Sequence, residues 1–189
     1  MTEKLRAPSA SAGRWQVAGS AGPTGFEEYA VARGPWLQRV AFLLSGDAHL
    51  AQDLAQSTLV QAHRSWKRVQ AADDPNAYVR RILVNELRTL QRRRSWSEVV
   101  SDEPATLRLA PAGDDVEVGV VQRLEVERLL GRLSPRARAV LTLRYLEDLP
   151  ATEVADLLGL SPSSVRSATS RALTRLAEIT STEAHDDDR

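Results

Sequence analysis

Residues 97–119, SEVVSDEPATLRLAPAGDDVEVG, constrain the fold of this 189-residue chain more than any other stretch. Prolines 104 and 111 and glycines 113 and 119 interrupt any helix, since proline lacks the backbone donor and glycine carries the largest entropic cost. On either side the apolar residues recur at helical spacing, from Phe26 to about Arg94 and again from Val120 to about Ile179. Alternating or β-branched runs are scarce, so the expected fold is all-α: two helical domains, 25–96 and 120–180, joined by a flexible linker at 97–119. Residues 1–24, rich in Ala, Gly, Ser and Pro, read as a disordered arm, and 181–189 as an acidic tail prone to fraying.

The zero net charge conceals a division along the chain. Residues 25–96 hold eleven Arg/Lys against seven Asp/Glu, residues 120–180 nine against seven, and the linker one against six. Two mildly basic bodies on an acidic tether suit a polyanionic partner better than the bulk charge suggests. Other chemistries find no support. With no cysteine there is neither a disulfide framework nor a thiolate metal site, and His49, His63 and His185 stand singly at no metal-ligand spacing. No phosphate loop, nucleophile–base arrangement or paired carboxylates suggest an enzyme; Asp73–Asp74 and Asp114–Asp115 read as cap and linker residues. Neither a signal-type apolar region nor a run of roughly 18 to 20 apolar residues is present, so no membrane insertion and a cytoplasmic location are expected.

LPATEVADLLGLSPSSVRSATSRALTRL reads as two helices around a tight turn. Val154, Leu157 and Leu158 form an apolar face ending at Gly159, a residue suited to a left-handed turn. Ser161 then caps a second helix with Pro162 at its first position, and Val165, Ala168, Ala172, Leu173 and Leu176 face inward. This is a helix-turn-helix, whose second helix can enter the DNA major groove. Its outer side carries Ser163, Arg166, Ser167, Ser170 and Arg171, short hydroxyls and arginines able to reach phosphates or base edges. VERLLGRLSPRARAVLTLRYLED supplies two further helices, the second opened by Ser134–Pro135, completing a four-helix domain; Arg136 and Arg138 are candidate phosphate contacts.

In the N-terminal domain Asp74 and Pro75 open a helix whose Val79, Ile82, Leu83, Leu87 and Leu90 share one side. Opposite them Arg81, Asn85, Arg88 and Arg92 form a stripe suited to a nucleic-acid backbone, with Asn85 as a base reader; Glu86, near the apolar side, calls for an arginine partner or a frayed edge. The segment before it, DAHLAQDLAQSTLVQAHRSWKRV, reads as one long helix with Ala55, Leu59, Ala62 and Trp66 inward. Its outer face of Asp53, Gln56, Ser57, Val60 and Arg64 fits a protein partner better than DNA. GFEEYAVARGPWLQRVAFLLSGD contributes core helices through Phe26, Tyr29, Trp36, Val40, Leu43 and Leu44. From these residues alone, a helix-turn-helix regulator with a helical sensing or partner-binding domain remains an alternative to any polymerase subunit.

The blocks QDLAQSTLVQAHRSW, DPNAYVRRILVNELRTLQRRR and LSPRARAVLTLRYLEDLPATEVADLLGLSPSSVRSATSRAL, in this order with a variable linker, resemble an extracytoplasmic-function sigma factor over roughly residues 25–178. The second block is similar to an actinobacterial subgroup. The resemblance implies a subunit that binds core RNA polymerase, uses no cofactor or metal and directs initiation at promoters. It implies that Asp53, Gln56, Ser57, Val60 and Arg64 dock on the β′ clamp helices and that the C-terminal domain meets the β flap. It assigns Tyr78, Arg81, Asn85, Arg88, Arg92 and the loop Val69–Asp74 to a melted −10 element, and Ser163, Ser164, Arg166, Ser167, Ser170 and Arg171 to the −35 element. The linker would thread toward the active-site channel, and many members are held inactive by an anti-sigma factor. Ser57, Leu59, Tyr78, Ala168 and Ser170 depart from frequent family choices at their positions.

Overall fold

The computed structural model describes residues 25–95 and 118–186. The expected arm, nearly all of the tether and the last three residues lie outside them. Every element among the described residues is helical: α1 (Phe26–Ser45), α2 (Ala48–Arg64), α3 (Trp66–Gln70), α4 (Pro75–Ser95), α5 (Val118–Gly131), α6 (Pro135–Leu141), a π-helical turn (Thr142–Leu146), α7 (Ala151–Leu158) and α8 (Pro162–Asp186).

Local chemistry sets most of these boundaries. The Asp47 carboxylate accepts from the Leu50 amide at 2.8 Å to start α2, and Asp74 accepts from the Asn76 and Ala77 amides at 2.8 and 3.1 Å to start α4. Ser134 opens α6 ahead of Pro135. The long helix expected over 47–69 is broken instead. Ser65 leaves helical geometry (φ −108°, ψ 20°), its hydroxyl bonds back to the Gln61 carbonyl at 2.8 Å, and α3 restarts at Trp66. The Gly34–Pro35 step does not divide α1, which runs through it as one helix of 20 residues.

In the N-terminal half α1, α2 and α4 pack around Tyr29, Leu37, Leu44, Leu54, Leu83 and Val84, all nearly inaccessible. In the C-terminal half α6 and α7 pack on α8 through Val140, Val154, Val165 and Ala168. The two cores are continuous: α1 lies against α6, α4 lies against α7, and Leu43 of α1 is buried among Leu130, Leu133, Leu141 and Ala172. Burial of one leucine contributes about 2 kcal/mol, so this seam is part of the folded structure.

Two expectations for α8 are corrected. Leu173 does not face inward; it is 43% exposed, because the partners of α8 cover Ala168, Ala172 and Leu176 and leave its flank open. Nor does the helix end near Ile179. It continues to Asp186, with Glu183 bonded to both terminal nitrogens of Arg128 on α5 at 2.5 and 2.6 Å. That contact holds the Glu183 carboxyl below the usual carboxylate range.

Candidate nucleic-acid interface

The turn between α7 and α8 brings the first candidate surface into the open. Gly159 adopts φ 66° and ψ 41° with its amide bonded to the Ala155 carbonyl, and the Ser161 hydroxyl accepts from the Ser164 amide at 3.1 Å. The same hydroxyl lies 2.9 Å from that of Ser163 and 2.8 Å from that of Ser164. Both of these candidate contacts therefore also serve the cap, and Ser164 is half-buried. Arg166, Ser167, Ser170 and Arg171 are exposed.

Beside them runs an open groove of about 780 Å³ lined by Arg132, Ser134, Arg136, Ser163, Ser164, Ser167, Arg171 and Arg175, with no carboxylate in its wall. Four guanidinium groups facing hydroxyls make a binding surface for a polyanion. Arg132 and Arg175 were not singled out from sequence; they line up with Arg171 and Arg136 only once α5, α6 and α8 pack. Arg166 and Ser170 stand outside the groove on the same helix. Arg138, a candidate phosphate contact, does not reach this surface. It is 1% exposed and donates to the Ser45 carbonyl at 2.8 Å, because it lies three residues before Leu141, on the buried side of α6.

On α4, Arg81, Asn85 and Arg92 are exposed, and Tyr78 is half-buried against the core. Arg88 belongs to the same stripe but is half-buried, its Nη1 donating to the Leu157 carbonyl of α7 at 3.3 Å. Val84 and Arg80, absent from the expected inner face, are buried there; Arg80 pairs with Glu147 at 2.8 Å. Its place in the register was legible, since Arg80 precedes Leu83 and Val84 by three and four positions. Along the loop before α4, Val69 is fully buried while Asp73 and Asp74 are exposed.

On α2, Asp53, Gln56, Val60 and Arg64 share an exposed face, Val60 at 51%. Ser57 is half-buried, its hydroxyl donating to Glu86 on α4 at 3.0 Å. Glu86 therefore finds a serine rather than the expected arginine, a contact tying the α2 surface to the α4 stripe. Among the described residues no cluster of three metal-binding side chains occurs, and no helix is long and apolar enough to cross a membrane.

These surfaces coincide with known sequence families. The model of sigma-70 region 2 matches residues 30–97, and that of sigma-70 region 4 matches residues 123–176. The RNA polymerase sigma-E factor of Streptomyces coelicolor is 34% identical over 153 residues, covering 81% of this chain and 84% of that protein. The ECF RNA polymerase sigma factor ShbA of Streptomyces griseus is 34% identical over 149 residues, covering 72% and 75%. The chain belongs to the extracytoplasmic-function sigma factors. In this sigma factor the region 2 match takes in most of α1 and the whole of α2, α3 and α4, hence the polar α2 face and the α4 stripe. The region 4 match takes in the arginine groove and the helix-turn-helix. Among solved structures, the Bartonella quintana sigma factor RpoE, in complex with the anti-sigma factor NepR, shares the fold with a TM-score of 0.63 at 24% identity, over 82% of this chain and 96% of that one.

Proposed function

We propose that this sigma factor engages core RNA polymerase through the α2 face of Asp53, Gln56, Ser57, Val60 and Arg64, and divides promoter recognition between its two halves. In the C-terminal half the groove arginines, Arg136 and Arg171 among them, bind phosphates, while Arg166, Ser167 and Ser170 face base edges of the −35 element. In the N-terminal half Arg81, Arg88 and Arg92 follow the backbone of the melted −10 strand, and Asn85 and Tyr78 receive an extruded base. Domain boundaries near residues 25–96 and 120–180 accompany this division, with the acidic segment between them as the connector. The polymerase performs the chemistry, so the sigma factor is not itself an enzyme and works in the cytoplasm beside the chromosome.

The observation that carries this reading is the carboxylate-free groove of four arginines beside the capped helix α8, within a chain matched by both sigma regions. An anti-sigma factor, such as the one bound to the Bartonella protein, is the natural antagonist for the same surfaces. Run-off transcription on a pool of genomic promoter fragments tests the proposal. Core polymerase with the purified chain is expected to yield discrete transcripts absent with core alone; no new transcript from any fragment would overturn it.

A further inference from the structure

The break between α2 and α3 leaves a basic corner outside the −10 and −35 surfaces described above. The Ser65 hydroxyl donates to the Gln61 carbonyl at 2.8 Å, and the Ser65 carbonyl accepts from the Arg68 and Val69 amides at 2.8 and 3.1 Å. The chain therefore turns within a few residues, and His63, Arg64, Ser65, Trp66, Lys67 and Arg68 line one open cavity of about 550 Å³ with no carboxylate in its wall. Arg64, Lys67 and Arg68 are exposed, and none of them has an ion pair among the described residues. Other arginines divide by the same criterion. Arg80 and Arg128 are bound by glutamates and join helices. Arg81, Arg136 and Arg171, on the surfaces proposed for DNA, have no carboxylate partner among the described residues.

Aromatic packing fixes this corner in place. Trp66 is half-buried, meeting Phe26 edge-on at 5.6 Å and Tyr29 at 5.3 Å, and His63 lies on Phe26 at 4.7 Å. Val69, next to Arg68, is fully buried, and α3 packs on α4. Along the chain α3 leads into the loop before α4, and Arg81 follows in the second turn of that helix. Of the loop acids, Asp74 is engaged by the Asn76 and Ala77 amides and Asp73 is exposed. A strand crossing this loop toward Asn85 meets cations before it as well as after it. Arginine and lysine present long apolar stems beneath their charges. Three of them beside an indole and an imidazole therefore offer apolar contact to a sugar or base and cations to its phosphates, the combination that tracks single strands. A duplex keeps its bases stacked and would use the charges alone.

Resting on the function proposed above, we infer that Lys67 and Arg68, with His63 and Trp66 as an apolar wall, bind the melted promoter strand beyond the base held by Asn85 and Tyr78, so that its path continues from α4 onto the α2–α3 corner. Fluorescence anisotropy with a labelled 20-nucleotide oligothymidylate, which forms no duplex, reads the affinity of the full chain over a series of salt concentrations. Each phosphate contact on a single strand contributes about 0.7 to the slope of log K against log salt. Lys67→Ala combined with Arg68→Ala should lower that slope by about 1.4 and weaken binding about 25-fold at roughly 0.1 M salt, the factor such a slope accumulates between about 0.1 and 1 M. Lys67→Arg combined with Arg68→Lys keeps both charges and should retain most of the affinity. Far-UV circular dichroism on each variant separates loss of the contact from unfolding. A slope unchanged by the alanine pair overturns the site, and an equal loss on a mixed-sequence duplex of the same length overturns its assignment to a single strand.

The partner is then read in the assembled enzyme. The sequence holds no cysteine, so Ala71→Cys carries a single benzophenone label. Ala71 is exposed and stands three and four positions after Arg68 and Lys67, leaving both cations in place. The labelled chain with core polymerase is irradiated on a promoter fragment that gives a run-off transcript. Cross-linking to the melted strand is the expected result, and cross-linking to polymerase subunits alone would overturn the DNA assignment. The two readings fail separately. Oligothymidylate binding that depends on Lys67 and Arg68, without any run-off transcript, sustains the corner and removes the sigma reading; transcripts from a chain whose corner is indifferent to single strands do the reverse.

Discussion

Two glycine-to-alanine substitutions twelve residues apart, one inside α1 and one at its end, should differ sharply in cost. Gly34 lies inside α1, and a Cβ there would meet nothing within 4 Å beyond its own helix turn and its neighbour Pro35. Gly34→Ala should therefore change stability little: the helix-propensity gain of at most about 1 kcal/mol is offset by crowding of the new Cβ against the Cδ of Pro35. Gly46 ends α1 at φ 75°, with its amide bonded to the Phe42 carbonyl at 2.7 Å. Alanine in that left-handed geometry costs about 1–2 kcal/mol. Its Cβ would also fall 2.5 Å from Arg138 Cζ and Nη1, so the guanidinium must move and give up its 2.8 Å bond to the Ser45 carbonyl. A hydrogen bond to a charged group is worth about 1.5–3 kcal/mol, giving a total near 3–4 kcal/mol for Gly46→Ala. Urea unfolding followed by circular dichroism reads both changes as midpoint shifts at constant slope. In an Arg138→Ala background the steric part vanishes, and Gly46→Ala should cost only the backbone part, a coupling of about 2 kcal/mol. An equal cost in the two backgrounds would refute the argument that Arg138 is what makes Gly46 obligatory.

Other consequences are separable by assay. Arg136→Ala and Arg171→Ala should each weaken duplex −35 binding by the isolated chain and lower the salt slope by about one unit per lost phosphate contact, while pull-down of core polymerase is unchanged. Arg81→Ala and Arg92→Ala should reduce open-complex formation, read by permanganate footprinting, more than they reduce polymerase binding; equal losses would contradict the division of roles. Burial pushes the Tyr29 phenol up to about 12, so the stability it confers is complete below pH 10 and is lost as pH rises toward 12. That loss amounts to about 3 kcal/mol, and Tyr29→Phe should flatten the unfolding free energy over this window relative to the parent. The hydrogen bond from Arg128 lowers the Glu183 carboxyl, so its contribution is present above the ordinary glutamate range and fades as pH falls through the lowered value. Amide exchange in the last turns of α8 should be faster in Glu183→Gln than in the parent at neutral pH, and the difference should vanish in acid.

What the sequence made legible is what neighbouring residues decide. The caps at Asp74, Ser134 and Ser161 each depend on a side chain within three positions of the amide it serves, and the left-handed turn at Gly159 on the lack of a side chain there. Periodicity likewise located Val79, Leu83 and Leu87 inside and Arg81, Asn85 and Arg92 outside. The misreadings cluster where a distant segment decides. Arg138 looked like one more surface arginine of a basic helix, and only α1, some 93 residues earlier, turns it into a seam contact. Glu183 looked like part of a fraying tail until Arg128, 55 residues away, engaged it. Arg132 and Arg175 belong to a groove that exists only after α5, α6 and α8 assemble.

The same distinction explains why the seam is polar. A capped, amphipathic half can bury its own apolar face, as α2 does on α1 and α8 on α6 and α7. If two such halves met only through apolar groups, separation would expose hydrocarbon and cost free energy in proportion to the area uncovered. Glu147, Arg80, Arg138 and Arg88 change that balance. Their directional bonds favour one register of α4 on α7 and α6 on α1, yet each group recovers hydration when the seam parts. Leu43 supplies apolar attraction across the same boundary.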